Sequence, residues 1–350
     1  MSTESVSQRS QPLPGRPRST SGPRSTSEDV SSPRRPAGLE AAVVVVRLTV
    51  AVAVLFVAFA LPGARTAPRD VPIGLAGPAA AAAQVQQGLA AAEPGAFAVT
   101  TYPDEAALRG AIRDRAVYGG FVLGPQPVTL VATGGGPVVA QGLTAVGQQL
   151  AARSGAQALV DDLAPLPAVD PRGVGLAGAA LPISIGGLIT ALLLVRRFRG
   201  RQLVLAGSAA AFSVLSGVTF AVILQYWFGS TSGDLWRIAG GLALGLCAIS
   251  LTVLGLESLF GLAGVGVGAA LVMLVGNPLS GLTSAPEFLP SGWGTLGQLL
   301  SPGANATLLR SNAYFGGAGG GRAAVVLLYW VVLGLLLLAT ARVKGRRTRG

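Results

Sequence analysis

Six apolar runs, each near the ~20 residues an α-helix needs to cross a bilayer, divide the chain at residues 39–61, 174–195, 203–224, 235–256, 259–275 and 323–341. Lipid offers no hydrogen bonds to a bare backbone, so runs of this length satisfy their own amides as helices. A transmembrane barrel is a poor fit, because its strands alternate polar and apolar residues and these runs do not. With 51% hydrophobic and only 12% charged residues in 350, the composition is not that of an ordinary soluble domain. The fold class that follows is a polytopic α-helical membrane protein: six transmembrane helices, with a polar segment of residues 62–172 inserted between helices 1 and 2.

Basic residues in short connections set the orientation of such a chain. Residues 1–38, the connection Arg196-Arg197-Phe198-Arg199-Gly200-Arg201 and residues 342–350 hold 15 of the 26 basic residues. The opposite connections, 225–234 and 277–322, contain only Arg310 and Arg322. Both termini are therefore expected in the cytoplasm of a multi-pass cell-membrane protein, and residues 62–172 outside. The first 38 residues, rich in Ser, Pro and Arg with little aliphatic content, cannot bury enough apolar surface to offset chain entropy and read as a disordered basic tail.

The net charge of +11 is thus a topological signal, and no basic patch with interleaved aromatics points to nucleic acid. There is no His, which removes histidine-based triads, His metal sites and imidazole relays. The one Cys, Cys247, falls in the fourth apolar run, so no intrachain disulfide braces the outer segment. No nucleophile and base can be named together, and the expectation is a protein without enzymatic activity, cofactor or metal. The partners expected are the lipid bilayer and a second copy of the chain.

Within 62–172, short apolar runs alternate with amphipathic ones, the pattern of a small sheet covered by helices. Strands are expected at 71–75, 97–101, 117–123 and 128–132, helices at 79–92 and 104–115, and a long helix from 138 to about 163. Pro103-Asp104-Glu105 places acids at a helix start, where the dipole favours them. The turn Gly134-Gly135-Gly136 is either an ordinary turn or an anion cradle.

Two stretches resemble a known family. Pro103-Asp104-Glu105-Ala106-Ala107-Leu108, followed by Tyr118-Gly119-Gly120-Phe121-Val122-Leu123-Gly124-Pro125, is similar to the external domain of type 2 ABC exporter permeases. Asn277-Pro278-Leu279-Ser280-Gly281 through Pro286-Glu287-Phe288-Leu289-Pro290 to Ser301-Pro302-Gly303-Ala304 resembles the re-entrant outer helices of those permeases, in particular the phage-infection-protein-like actinobacterial branch. The resemblance implies the membrane subunit of an exporter of hydrophobic or cell-envelope substrates, served by a separate ATPase subunit. The connection 196–201 is short for an ATPase coupling helix, and no G-x-x-x-x-G-K-[ST] loop occurs in the chain itself. The competing reading is a receptor or envelope-organising protein that uses residues 62–172 for binding.

The segment 277–322 carries Pro278, Pro286, Pro290 and Pro302, which forbid one continuous helix, yet it is too apolar for a free loop. It is expected to dip into the head-group layer as a re-entrant lid or an inert cap, with Pro290, Trp293 and Pro302 as its candidate gate residues and Trp293 at the interface. Gly241 and Gly245, and Gly264 and Gly268, form small-x-x-x-small faces for close helix packing within or between chains. Gly264-Val265-Gly266-Val267-Gly268 lacks the preceding strand of a dinucleotide fingerprint. Arg196, Arg197, Arg199 and Glu257, the last assigned to the tight turn between runs four and five, are candidate partner contacts.

Overall fold

The computed structural model describes residues 37–64 and 66–347. The tail read as disordered therefore lies almost wholly outside the described residues. About two-thirds of the chain is helical. The first run becomes α1, Ala37–Ala64, a 28-residue helix.

A five-stranded mixed sheet follows. Its strands are β1 (Val71–Ala76), β2 (Phe97–Tyr102), β3 (Gly120–Val122), β4 (Val128–Val131) and β5 (Leu159–Asp162), in the order β2-β1-β3-β4-β5. The pair β3–β4 is antiparallel and the others are parallel. Helices α2 (Ala79–Ala92), α3 (Glu105–Arg113) and α4 (Pro137–Ser154) cover the sheet. β1 is buried along nearly its whole length, as befits a parallel strand covered on both faces, whereas β2 alternates as an edge strand. The helix expected from 104 begins at Glu105, and Asp104 stands before it as the cap, accepting the Ala107 amide at 2.7 Å.

The sheet departs from the expected layout at one place. The helix predicted from 138 to about 163 stops at Ser154, because Gly155 takes a left-handed φ of 64° and the Ala156 amide bonds back to the Ala151 carbonyl. The freed chain becomes β5 and pairs with β4. Leu159 and Val160 remain exposed on this edge strand, and that weak burial left no apolar signature to find.

Four helices among the described residues are long and apolar enough to cross a membrane: Val174–Phe198 (α5), Gln202–Trp227 (α6 with a terminal π turn), Leu235–Phe260 (α7) and Gly321–Gly345 within α11 (Gly321–Arg347). α7 is the centre of the bundle: 78% of its apolar window is buried, against 33% or less in the others. The outer helices present rows of bare aliphatic side chains, such as Leu181, Ile185 and Ile189 on α5 and Val325, Leu328 and Val332 on α11. Rows like these are stable facing hydrocarbon and costly facing water.

The fifth run does not make a comparable helix. It forms eight α-helical residues, Leu262–Ala269 (α8), and seven π-helical ones, Ala270–Gly276. At 1.5 Å per residue such a segment reaches about 22 Å, short of a ~30 Å hydrocarbon core. Among the described residues, four helices meet the length and hydropathy of a span, and the expected set of six is not confirmed. The carboxyl-terminal residues 342–347, expected as a tail, instead continue α11.

Between α8 and α11 the chain builds a helical hairpin. A 3-10 turn, Pro286–Phe288, leads to α9 (Trp293–Leu299) and then α10 (Ser301–Tyr314). α10 carries Asn305, Arg310 and Asn312, yet it is almost entirely buried against α7 and α11. Its polar groups find local partners: Arg310 donates to the Leu282 carbonyl at 2.8 Å and Asn312 to the Arg237 carbonyl at 2.7 Å. The Asn305 Oδ1 is buried with no hydrogen-bond partner.

The sheet and the hairpin share their cores. Ala285 and Phe288 pack into the cluster of Val71, Ile73, Leu75 and Leu143 on one face of the sheet. Tyr314 and Phe315 pack into the cluster of Leu108, Ile112 and Leu130 on the other.

Candidate functional site

The sheet, the hairpin and the start of α11 enclose a cavity of about 660 Å³. Its lining includes the charged residues Arg69, Arg115, Arg322, Asp70 and Glu287, together with Tyr118. Leu289, Leu299, Phe315, Ala323 and Val326 add apolar surface to the same lining.

Arg115 follows α3 in a left-handed conformation, φ 60°, which a side chain at that position adopts at a steric cost. That conformation turns the guanidinium toward the hairpin, where it donates to the Thr307 carbonyl at 3.1 Å and to the Ser311 hydroxyl, and lies 5.2 Å from the Phe315 ring centre. Burial lowers its pKa from the ordinary arginine value; neighbouring Arg310 acts in the same direction, and Tyr118 and Glu287 oppose it. Arg310, buried on α10, is lowered first by burial as well, against Tyr118, Tyr314 and Glu287. Arginine remains cationic at any physiological pH despite such shifts.

Among the described residues, neither Arg115 nor Arg310 has a carboxylate within salt-bridge distance. Glu287 is occupied instead by Tyr118, whose hydroxyl donates to its Oε2 at 2.8 Å. Burial and the adjacent Glu287 charge push the Tyr118 pKa well up, so the phenol stays protonated and keeps donating. Arg69 donates to the Ala67 and Phe288 carbonyls, and its own amide bonds the Glu287 carbonyl. The lining thus holds more cationic than anionic side chains, Arg69, Arg115 and Arg322 against Asp70 and Glu287.

Of the expected gate residues, only Pro290 lines this cavity. Trp293 sits at the exposed start of α9, 37% accessible. Pro302 begins α10 and packs on Gly276, on the far side of the hairpin. The four glycines serve packing inside one chain: a side chain at Gly241 would strike Asn312, at Gly245 Asn305, at Gly264 the Leu256 backbone and at Gly268 Val253. Close backbone contacts also occur at glycines outside those faces, notably Gly217 against the Ala239 carbonyl and Gly334 against the Leu251 backbone. Ser213 four residues before Gly217 was the signal for the first.

Glu257 is not in a turn. It lies in the last turn of α7, buried, and the turn itself is Gly261 with φ 63°. Glu257 stands 3.8 Å from exposed Arg199, while Arg197 lies over Phe198 at 5.4 Å. These residues gather at the end of the bundle remote from the sheet, where α6 begins beside the end of α11 and Arg342. At the opposite end Tyr226, Trp227 and Trp236 project outward, next to the loop whose Ser230 carbonyl accepts the Tyr314 hydroxyl at 2.7 Å. Basic residues at one end and aromatic residues at the other are the two marks of membrane interfaces.

The three-glycine turn is an ordinary one. The Gly134 amide bonds the Ala164 carbonyl and the amides of Gly135 and Gly136 bond that of Ala132, leaving no cradle for an anion. Arg115, Tyr118 and Glu287 were not singled out as site residues from sequence, because 169 residues separate the last two and Arg113-Asp114-Arg115 reads as a solvated helix end. Arg310, a lone cation in an otherwise apolar stretch, was the available clue. The chain matches no family model, no curated protein and no solved structure.

Proposed function

We propose that this is a permease-like integral membrane protein that moves hydrophobic or cell-envelope substrates, as a homodimer or with a separate ATPase subunit. In this reading α1 and the α8 segment complete a set of six membrane helices, both termini are cytoplasmic, and the sheet lies outside the cell membrane. The observation that carries the reading is α10: a polar helix too short to span a bilayer, buried against α7 and α11 directly beneath a cavity. Non-spanning helices at membrane depth are tolerated where they are covered by protein or line a pathway. The basic end at Arg196, Arg197, Arg199 and Glu257 is where an ATPase would make contact.

The test is purification of the tagged full chain from its native membrane in mild detergent, followed by reconstitution with a fluorescent phospholipid. ATP-dependent transfer of that lipid, with an ATP-hydrolysing subunit in the preparation, is the expected result. A chain that purifies without such a subunit and transfers no lipid supports the receptor reading instead.

A further inference from the structure

We infer that the 660 Å³ cavity binds the anionic head group of a membrane phospholipid, with Arg115 and Arg322 as its cationic contacts and the lipid chains leaving along α9 and α11. This rests on the reading of the chain as a membrane protein that handles envelope amphiphiles, and it names the class of molecule that occupies the outer site.

Three features converge on that ligand. The first is uncompensated charge. Arg115, Arg310 and Arg322 have no carboxylate within 4.0 Å among the described residues, and Glu287 is engaged by Tyr118. Arg310 is buried and Arg115 half-buried, so a guanidinium there without a counter-ion is costly and an anion beside Arg115 relieves that cost; Arg322 is exposed and adds an accessible positive charge at the cavity. The second is the apolar part of the lining. Leu299 and Val326 line the cavity, and Leu296 and Leu299 on α9 and Val325 on α11 are exposed, which offers apolar surface to a chain attached to the head group. Trp330, which donates to the Leu299 carbonyl at 2.9 Å, holds α9 against α11. The third is size. A cavity of this volume lies in the range of roughly 300–1,000 Å³ that encloses a drug-sized ligand. It suits a head group with the first methylenes of its chains. A free phosphate would leave the apolar wall unused.

The four tryptophans make the site measurable. Trp293 opens α9 and Trp330 ties α9 to α11, whereas Trp227 ends the π turn after α6 and Trp236 lies in the first turn of α7. In a Trp227→Phe, Trp236→Phe background, the full chain in neutral detergent is titrated with phosphatidylglycerol or phosphatidylcholine carrying brominated acyl chains. Quenching of Trp293 and Trp330 is the readout. The expected result is half-maximal quenching at about tenfold lower concentration for phosphatidylglycerol, the size of one charge-assisted contact. Arg322→Gln abolishes the preference and Arg153→Gln, on the exposed side of α4, retains it.

Arg115→Gln also removes bonds to Thr307 and Ser311, and misfolding of that variant is therefore possible. Arg322, exposed at the start of α11, is the decisive position. Equal quenching by the two lipids overturns the inference. So does a folded Arg322→Gln chain that keeps the full preference, or displacement of phosphatidylglycerol by equimolar inorganic phosphate, which would mark a free-anion site. Head-group preference without lipid transfer in proteoliposomes leaves this inference standing and removes the permease reading. Transfer without preference does the reverse.

Discussion

Tyr118 and Glu287 meet through a 2.8 Å hydrogen bond that joins the sheet to the hairpin, with the phenol donating and the carboxylate accepting. Tyr118→Phe leaves the ring packing intact and strands the carboxylate. Losing a hydrogen bond to a charged acceptor costs about 1.5–3 kcal/mol, here toward the lower end because both residues are partly accessible. The thermal unfolding midpoint of the detergent-solubilised chain should fall by several degrees, and Glu287→Gln in the same background should restore part of the loss.

Asp170 anchors the first turn of α5, accepting the amides of Val174 at 2.8 Å and Gly175 at 2.9 Å. Burial alone would raise its pKa; the bonds from Gly175, Ser230 and Val174 outweigh burial and hold it below the usual carboxylate value. A depressed folded-state pKa contributes stability above the unfolded value and loses it as pH falls through the folded one. Asp170→Asn is expected to lower stability by about 1 kcal/mol at neutral pH. It should also flatten the decline seen as the wild type is acidified below the ordinary carboxylate range. Unfolding midpoints of both proteins across an acid series provide the check.

Gly334 lets α11 approach the backbone of α7 at Leu251 and Thr252. Gly334→Leu should lower stability by at least about 1–3 kcal/mol, since the side chain meets backbone that cannot step aside. Gly207→Leu, with nothing within 4 Å, should change little. Size-exclusion profiles of the two variants discriminate: aggregation of both, or of neither, refutes the assignment of Gly334 as the tight contact.

Arg199 is 80% exposed at its side chain and only 3.8 Å from Glu257. Glu257 is buried, but solvent screening at the exposed arginine and the 3.8 Å separation keep the contact within the range of surface pairs, about 0.2–1 kcal/mol. Arg199→Ala should leave the unfolding midpoint within about 2 °C of wild type. A large drop would show that the pair carries structural weight its geometry does not explain.

The proposed topology can be read with single cysteines in a Cys247→Ala background. An impermeant maleimide added to intact cells should label Ala90→Cys on α2 and should reach Arg201→Cys only after permeabilisation. Labelling of both from the same side contradicts the arrangement.

Local structure was legible where periodicity and capping residues agree. The strand at 71–76, the helix at 79–92 and the Asp104 cap all follow from patterns within a dozen residues. Legibility failed where the deciding contact is distant. Nothing near Ser154 distinguishes Gly155 as a left-handed stop from the other glycines of α4, since β4 supplies the pairing that favours β5. The fifth run has the hydrophobicity of a span but not the regular α-helical length, because it turns π-helical from Ala270 and α10 then packs beside it. The cavity is the extreme case: its arginines come from three separate parts of the chain, and each looks solvated in its own neighbourhood.

The residues that finish the sheet come from both ends of the hairpin, Ala285 and Phe288 on one face, Tyr314 and Phe315 on the other. The sheet is gripped like a blade in a handle, so displacement of α9 and α10 is transmitted to it from two sides at once. A chimera that exchanges residues 67–166 alone would import a blade with two bare seams; the graft has to bring residues 285–315 with it.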